Sequence, residues 1–241
     1  MSVNRVFVTG DLHGHWENFD EWCAEHHTTY DDVFITLGDS GILYGAEAIP
    51  EEHTFLEWLN NCPITILDIQ GNHACPPEDR PGYLKTLMQV GGDMVGIAYQ
   101  NYEFPHIYHA INGNTYYLKE HPCLVVGGAY SVDKELRLAR GWYWTPNEII
   151  NPQDRNNILH QIHTRHFDCV FTHTIPFDYV PRDMFLPSID QSKVDNTMEH
   201  FLTSVKKEIK YDKWLCGHWH VDRHNAGPNI DILYKEVRQL W

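Results

Sequence analysis

The sequence predicts an α/β fold, on three observations. Apolar runs of strand length alternate with amphipathic stretches at helical spacing through the first third of the chain. Each strand–helix–strand unit there spans roughly 30 residues, the size of a βαβ unit. Residues of metal-ligand type then follow the apolar runs directly, where open α/β sheets place their sites.

Val6-Phe7-Val8 is the first expected strand, and it runs into Gly10-Asp11-Leu12-His13-Gly14. Asp11 and His13, two apart, therefore leave its C-terminal end together where the backbone turns. Residues 16–26 carry Trp16, Phe19, Trp22 and Cys23 at helical spacing. A second strand over 32–37 leads into Gly38-Asp39-Ser40-Gly41. Residues 51–60 read as a helix with Phe55, Leu56 and Leu59 on one side, and a third strand over 64–69 leads into Gly71-Asn72-His73. This pattern predicts a parallel sheet with crossover helices.

Past residue 74 the character changes. Cys75-Pro76-Pro77 and Arg80-Pro81-Gly82 mark a loop, and 83–90 reads as a short helix before Gly91-Gly92. Alternating segments over 106–111, 115–118 and 123–126, with Asn112-Gly113-Asn114 as a hairpin signal, predict an antiparallel block. A helix over 154–166 precedes a strand over 168–171 that ends on Thr172-His173. Residues 174–196, with Pro176, Pro181 and Pro187, read as a long irregular loop of the kind that forms lids or binding surfaces. A helix over 198–210 precedes a strand over 211–216, which leads into Gly217-His218-Trp219-His220, and 222–237 closes with hairpin material. With no repeat, low-complexity tract or linker, one domain over 1–241 is expected.

A chain of 241 residues with 42% hydrophobic and 13% aromatic content has ample material for a core. No apolar run approaches the ~20 residues that span a bilayer, and the opening strand leaves no room for a secretory signal. The expectation is a cytoplasmic protein with no membrane partner. The six cysteines, Cys23, Cys62, Cys75, Cys123, Cys169 and Cys216, form no C-x-x-C pair and suit free buried thiols. A formal net charge of −15 disfavours long nucleic acid as a partner. It permits an anionic substrate where bound cations reverse the local field. The 17 histidines point to metal chemistry.

Seven residues offer oxygen and nitrogen ligands: Asp11, His13, Asp39, Asn72, His173, His218 and His220. One metal takes Asp11, His13 and His220, a second takes Asn72, His173 and His218, and Asp39 bridges them. Mixed N/O ligands suit Mn²⁺, Fe, Zn²⁺ or Ni²⁺ better than Ca²⁺ or Mg²⁺, and we expect two divalent ions, Mn²⁺ first. Such a pair would clamp a phosphate and activate a bridging hydroxide for in-line attack.

Gly10-Asp11-Leu12-His13-Gly14, Gly38-Asp39, Gly71-Asn72-His73, Thr172-His173 and Gly217-His218-Trp219-His220 resemble, in order, the motif set of the calcineurin-like metallophosphoesterases. The resemblance implies a central β-sandwich flanked by helices, with a dinuclear centre at one edge. It assigns the seven residues as ligands and gives His73, besides Asp39, a catalytic role: orienting substrate or protonating the leaving group, work that suits an imidazole of near-neutral pKa. The sequence departs from Ser/Thr protein phosphatases in two places. Asp39 is followed by Ser40-Gly41 rather than Arg-Gly, and His73 by Ala74 rather than an acidic residue. The stretch Gly127–Lys134, with Arg137 and Gly141-Trp142-Tyr143-Trp144, resembles a signature of bacterial and phage metallophosphoesterases instead.

Lys134, Arg137 and Arg140 are the expected substrate-binding cations, and Lys134 and Arg137 share a face if their stretch is helical. Trp142 and Trp144 are expected to pack, and His160, His163 and His166 to lie on a polar helix face. Arg80 sits in a loop near His73. The expected activity is hydrolysis of phosphomonoesters, in the manner of a Ser/Thr phosphatase, on a phosphorylated small molecule, nucleotide or phosphoprotein. The alternatives are a phosphodiesterase or nuclease acting on cyclic nucleotides or short nucleic acids, and a non-catalytic scaffold.

Overall fold

The computed structural model describes residues 3–163 and 165–241. The expectations of a domain over 1–241 and a helix over 154–166 therefore include positions 1, 2 and 164, which lie outside the described residues.

The first sheet is built on parallel strands β1 (Val6–Thr9), β2 (Val33–Thr36) and β3 (Thr65–Asp68). Helices α1 (Phe19–Glu25) and α2 (Pro50–Asn61) make the crossovers between them. β4 (Tyr83–Val90), β5 (Asp93–Asn101) and β6 (Ile107–Ala110) follow in the same sheet. The second sheet holds β7 (Thr115–Leu118), β8 (His121–Val126), β9 (His166–Thr172), β10 (Lys210–Cys216), β11 (Arg223–Gly227) and β12 (Ile230–Ile232). Helices α3 (Lys134–Arg140) and α4 (Pro152–Ile162) lie between β8 and β9, and α5 (Thr197–Glu208) precedes β10. A last strand, β13 (Arg238–Gln239), returns to pair antiparallel with β1. The sheet orders are β13-β1-β2-β3-β6-β5-β4 and β11-β12-β10-β9-β8-β7.

Alternation along the strands explains how the layers pack. Val6 and Val8 of β1 face a core shared by both sheets, while Phe7 faces α1. Val33 and Ile35 of β2 do the same against Phe34. In the second sheet Cys123 and Val125 point to the shared core, and Leu124 and Val126 to a cluster with α4 and α5. Strands buried on both faces read as continuous apolar runs, so these were visible as strands in the sequence. The result is the expected β-sandwich flanked by helices.

Three expectations need correction. Residues 83–90 are not helical: they form β4, paired antiparallel with β5 through the turn at Gly91 and Gly92, both at positive φ. Tyr83, Leu84, Leu87 and Met88 imitate helical spacing because Leu84 and Leu87 stay exposed on an edge hairpin. The block after residue 106 is not wholly antiparallel, since β6 runs parallel to β3. Asn112-Gly113-Asn114 connects β6 to β7, which lie in different sheets, so it carries the chain across rather than closing a hairpin. Finally α4 ends at Ile162, which leaves His166 on β9 instead of on a helix face with His160. Residues 174–196 are irregular as expected, with short 3₁₀ turns at Phe177–Tyr179, Arg182–Met184 and Gln191–Lys193.

Candidate metal centre

The C-terminal ends of β1, β2 and β3 meet those of β9 and β10 along one edge of the sandwich. Parallel register sets β1, β2 and β3 side by side, with Thr9 opposite Thr36 and Thr36 opposite Asp68. Asp11, Asp39 and Asn72 follow in the loops beyond. Across the core Thr172 lies opposite Cys216, so His173 and Gly217 leave the second sheet together. The loops zip to one another: His13 N–H donates to the Asp39 carbonyl at 2.7 Å, and Gly217 N–H to the His173 carbonyl at 2.9 Å.

These loops are strained where they present ligands. His13, Asp39, His218 and His220 all have positive φ, between 47° and 67°. Such conformations in residues with a Cβ persist only when the surroundings over-determine them, and they gather at functional sites. Close approach also demands glycine beside them. A Cβ on Gly71 would stand 2.0 Å from Asp39 Oδ1, and one on Gly38 2.2 Å from His173 Nδ1.

All seven expected ligands are brought together. Asp11, His13 and His220 offer atoms within 4.8 Å of one another, as do Asp11, Asp39 and His173. Asp11 Oδ1 accepts from the His218 N–H at 2.7 Å, while its buried Oδ2 has no hydrogen-bond partner among the described residues and lies 3.3 Å from His220 Nε2. His13 Nε2 and His220 Nε2 point at each other across 2.9 Å. His173 Nδ1 donates to the Leu37 carbonyl at 2.7 Å, which turns its Nε2 lone pair toward the centre. There it meets Asn72 Oδ1 at 2.8 Å and Asp39 Oδ2 at 3.6 Å. Asn72 is held in that sense because its Nδ2 donates to Ser131 Oγ at 3.0 Å. Lone pairs thus converge on lone pairs, which is the donor set a cation requires. The residues fit divalent metal.

Electrostatics agree. Burial pushes the Asp39 carboxyl up to about 6, with Asp11 adding to the rise and His173 opposing it. Burial would raise Asp11 too, but His220, His173 and His218 outweigh it and hold that carboxyl below its usual value. Burial, reinforced by His173, drives the His218 imidazole well down. Burial lowers His13 as well, so it and His218 are neutral ligands in their binding form, whereas Asp11 raises the His220 imidazole.

His73 stands at the rim. Its N–H donates to Asp39 Oδ1 at 2.8 Å, and its Nε2 lies 3.9 Å from both Asp39 Oδ2 and Asp133 Oδ1. Arg137 donates through Nη2 to His73 Nδ1, so the remaining ring proton sits on Nε2 and faces the cleft. Burial and the Arg137 charge push this imidazole down to about 4 rather than leaving it near neutrality. It is a neutral hydrogen-bond donor.

Arg137 is buried on α3 and also donates to Asp133 Oδ2 at 2.8 Å and the Tyr143 carbonyl at 3.2 Å. Lys134 and Arg140 lie elsewhere, over the rings of Trp144 and Trp142 at 4.2 and 4.7 Å. Arg80 is buried against Glu52 and the Gly45 carbonyl. The sequence did not reveal Ser131, Asp133 or the contact of Arg137 with His73, although all three residues lie in the 127–144 stretch it singled out. Nor did it reveal the cleft of about 360 Å³ that opens from Asp39, Asn72, His73, His218 and His220 toward residues 184–196. Trp219, set between two candidate ligand histidines, was the available signal.

The family model described as calcineurin-like phosphoesterase matches residues 4–222. No curated protein matches the chain by sequence. Among solved structures the chain is similar to the phosphopantetheinyl hydrolase (PptH) from Mycobacterium tuberculosis, at 13% identity and a TM-score of 0.47, over 98% of this chain and 95% of that one.

Proposed function

This chain belongs to the calcineurin-like phosphoesterase family, and from that premise we propose that it hydrolyses phosphomonoesters with the help of two divalent cations. Phosphoester hydrolysis with divalent metal is the family's chemistry; the monoester preference and the count of two are our reading. The observation that supports it is that Asp11, His13 and His220, and likewise Asp11, Asp39 and His173, bring ligand atoms from the loops of both sheets within 4.8 Å of one another. Asp11, His13 and His220 would hold one ion; Asn72, His173 and His218 the other; Asp39 lies between. When bound, divalent ions polarise the phosphoryl group and make a water nucleophile available at neutral pH, and Mn²⁺ is the first to try.

The chain's own residues do the rest. His73 Nε2–H donates to a phosphoryl or leaving-group oxygen at the mouth of the centre. Arg137 positions that ring by occupying Nδ1, and Asp133 holds Arg137 in turn. Lys134 and Arg140 are seated on tryptophan rings and do not line the cleft. Among the described residues no Lys or Arg lines the cleft, so a polynucleotide would find no cationic track. A small phosphorylated molecule or a phosphorylated side chain suits the space better. Six free buried cysteines support a reducing compartment such as the cytoplasm, and among the described residues no helix is long and apolar enough to cross a membrane. The core shared by both sheets supports reading the chain as one domain.

The test compares p-nitrophenyl phosphate with bis-p-nitrophenyl phosphate on Mn²⁺-reconstituted protein, with Asp39→Asn as control. Faster turnover of the monoester, falling at least about 100-fold in the variant, supports the proposal. Preference for the diester would replace it with phosphodiesterase activity. Full activity in metal-stripped Asp39→Asn would end both.

A further inference from the structure

The cleft has two unlike ends. One is the metal centre. The other is apolar: Met184, Phe185, Leu186, Ile189 and Val194 from the irregular loop, with Trp219 from the turn between β10 and β11. Met184 and Leu186 remain 37% and 58% exposed, on a segment with ample polar residues to offer solvent instead. Apolar side chains left uncovered beside a reactive centre mark a contact surface.

That surface is held in place. Arg223 grips Asp183 with two hydrogen bonds of 3.0 and 2.6 Å, tying the loop to β11. Phe177 N–H donates to Thr203 Oγ1 on α5 at 2.9 Å, and Val180 is buried. The Phe185 ring lies 6.1 Å from the Trp219 ring. Because Trp219 sits between His218 and His220, one turn supplies both metal ligands and the apolar wall. A group bonded to a phosphate at the centre is therefore within reach of the wall.

Charge narrows the choice. The cleft is also lined by Asp133, Asp195 and Glu199, with no Lys or Arg among the described residues. Arg137 is committed to His73, Asp133 and the Tyr143 carbonyl, Lys193 of the loop lies 3.8 Å from Asp190, and Arg182 sits over the Phe177 ring. A second phosphate or a carboxylate on the substrate would meet these carboxylates, with only the neutral donors Tyr130, Gln191 and Asn196 to offset them.

We propose that the wall of residues 184–194 and Trp219 is the subsite for the organic part of the substrate, and that this part is apolar, preferably aromatic, and carries no second anionic group. The inference rests on the phosphomonoesterase reading. It excludes nucleoside di- and triphosphates and phosphorylated carboxylic acids as good substrates.

The experiment uses the full chain loaded with Mn²⁺ and three phosphomonoesters with similar primary alkoxide leaving groups: 2-(1-naphthyl)ethyl, ethyl and 2-carboxyethyl phosphate. Alongside, calorimetry measures binding of the matching naphthylethyl and ethyl phosphonates. The naphthyl substrate should lead in kcat/KM by at least about tenfold, mostly through KM, and its phosphonate should bind at least about tenfold tighter, with a negative heat-capacity change. The carboxyethyl ester should be the poorest. Leu186→Asp, at an exposed position, should shrink the naphthyl advantage to about threefold or less. Equal binding of the two phosphonates, or a lead for the carboxyethyl ester, overturns the subsite while leaving the phosphomonoesterase reading intact. No turnover of any monoester by the metal-loaded chain overturns that reading, and the subsite with it.

Discussion

The two ends of the parallel strands treat their ionisable side chains in opposite ways. Just before β2 begins, Asp32 is buried and fully served: Arg5 donates from Nε and Nη2 at 2.9 and 2.8 Å, and Thr29 N–H donates at 2.7 Å. Beyond the other end of the same strand, Asp39 is buried with His173 and His73 standing 3.6 and 3.9 Å from its Oδ2. Burial raises both carboxyls; Arg5 and Thr29 more than reverse this for Asp32, whereas Asp39 stays up near 6. The second sheet repeats the contrast. At the start of β9, His166, Asp168 and Asp212 bring ligand-type atoms within 4.8 Å of one another, as the metal centre does. Yet His166 already lies 2.9 Å from Asp212, His121 is hydrogen-bonded to Asp168, and among the described residues no backbone carbonyl accepts from either ring. Proximity alone does not make a metal site. What distinguishes the centre is that the buried Asp11 Oδ2 is left without a donor among the described residues and that the His173 ring is oriented by the Leu37 carbonyl, a cost to the fold that a bound cation would offset.

That contrast can be broken or sharpened by substitution. The largest effect is expected at Gly38, where alanine would strike the His173 ring and strain a φ of +100°. Gly38→Ala should cut turnover at least about 100-fold and lower bound metal, measured by elemental analysis of the purified protein. Retention of both would show that His173 is not oriented by its contact with Leu37. Next comes Arg137→Met, which frees His73 Nδ1. A fall of about 10- to 100-fold in kcat with little change in KM is expected, together with a new dependence of rate on pH as the ring is released to titrate. An unchanged pH profile would deny Arg137 its positioning role.

At the satisfied end, effects should appear in stability alone. Asp32→Asn is expected to cost about 1–3 kcal/mol at pH 7, read from urea unfolding. Because the folded carboxyl is held below its unfolded value, the lost stability is fully present above about pH 4. It should fade as pH falls through the depressed value, so wild type and variant converge in acid. The smallest effect belongs to His166→Ala with Asp212→Asn: no change in turnover or metal content, and stability within about 0.5 kcal/mol. Loss of an ion from that variant would erase the distinction drawn between the two clusters.

How much of this was legible beforehand follows the same division. Strands β1, β2 and β3 were readable because burial on both faces makes apolar runs, while β9 and β10 showed through their buried second halves, 169–171 and 214–216, and the ligands follow such runs by a few residues. Tyr83–Val90 was misread because an exposed edge hairpin lets Leu84 and Leu87 face solvent, which blurs the period of two into something helical. β13 was missed since two residues carry no periodicity, and its partner lies at the other end of the chain. The ligand types were apparent as letters. The state of His73 was not, because it depends on Arg137, 64 positions away. The apolar wall was hidden for a related reason: a proline-rich loop shows its length in sequence but not the surface it turns toward the centre.

One hydrogen bond has a mechanical consequence. His173 belongs to the second sheet and Leu37 to the first, so the bond from Nδ1 to the Leu37 carbonyl is a rivet between them. Asp11, His13, Asp39 and Asn72 come from one side of that rivet, and His173, His218 and His220 from the other. A cation held by both groups would act as a removable cross-link, tightening the sandwich at this edge by mass action. Chelation should then let the layers breathe first here, with amide exchange quickening around Leu37 and Gly217 while the opposite end of the sandwich keeps its protection.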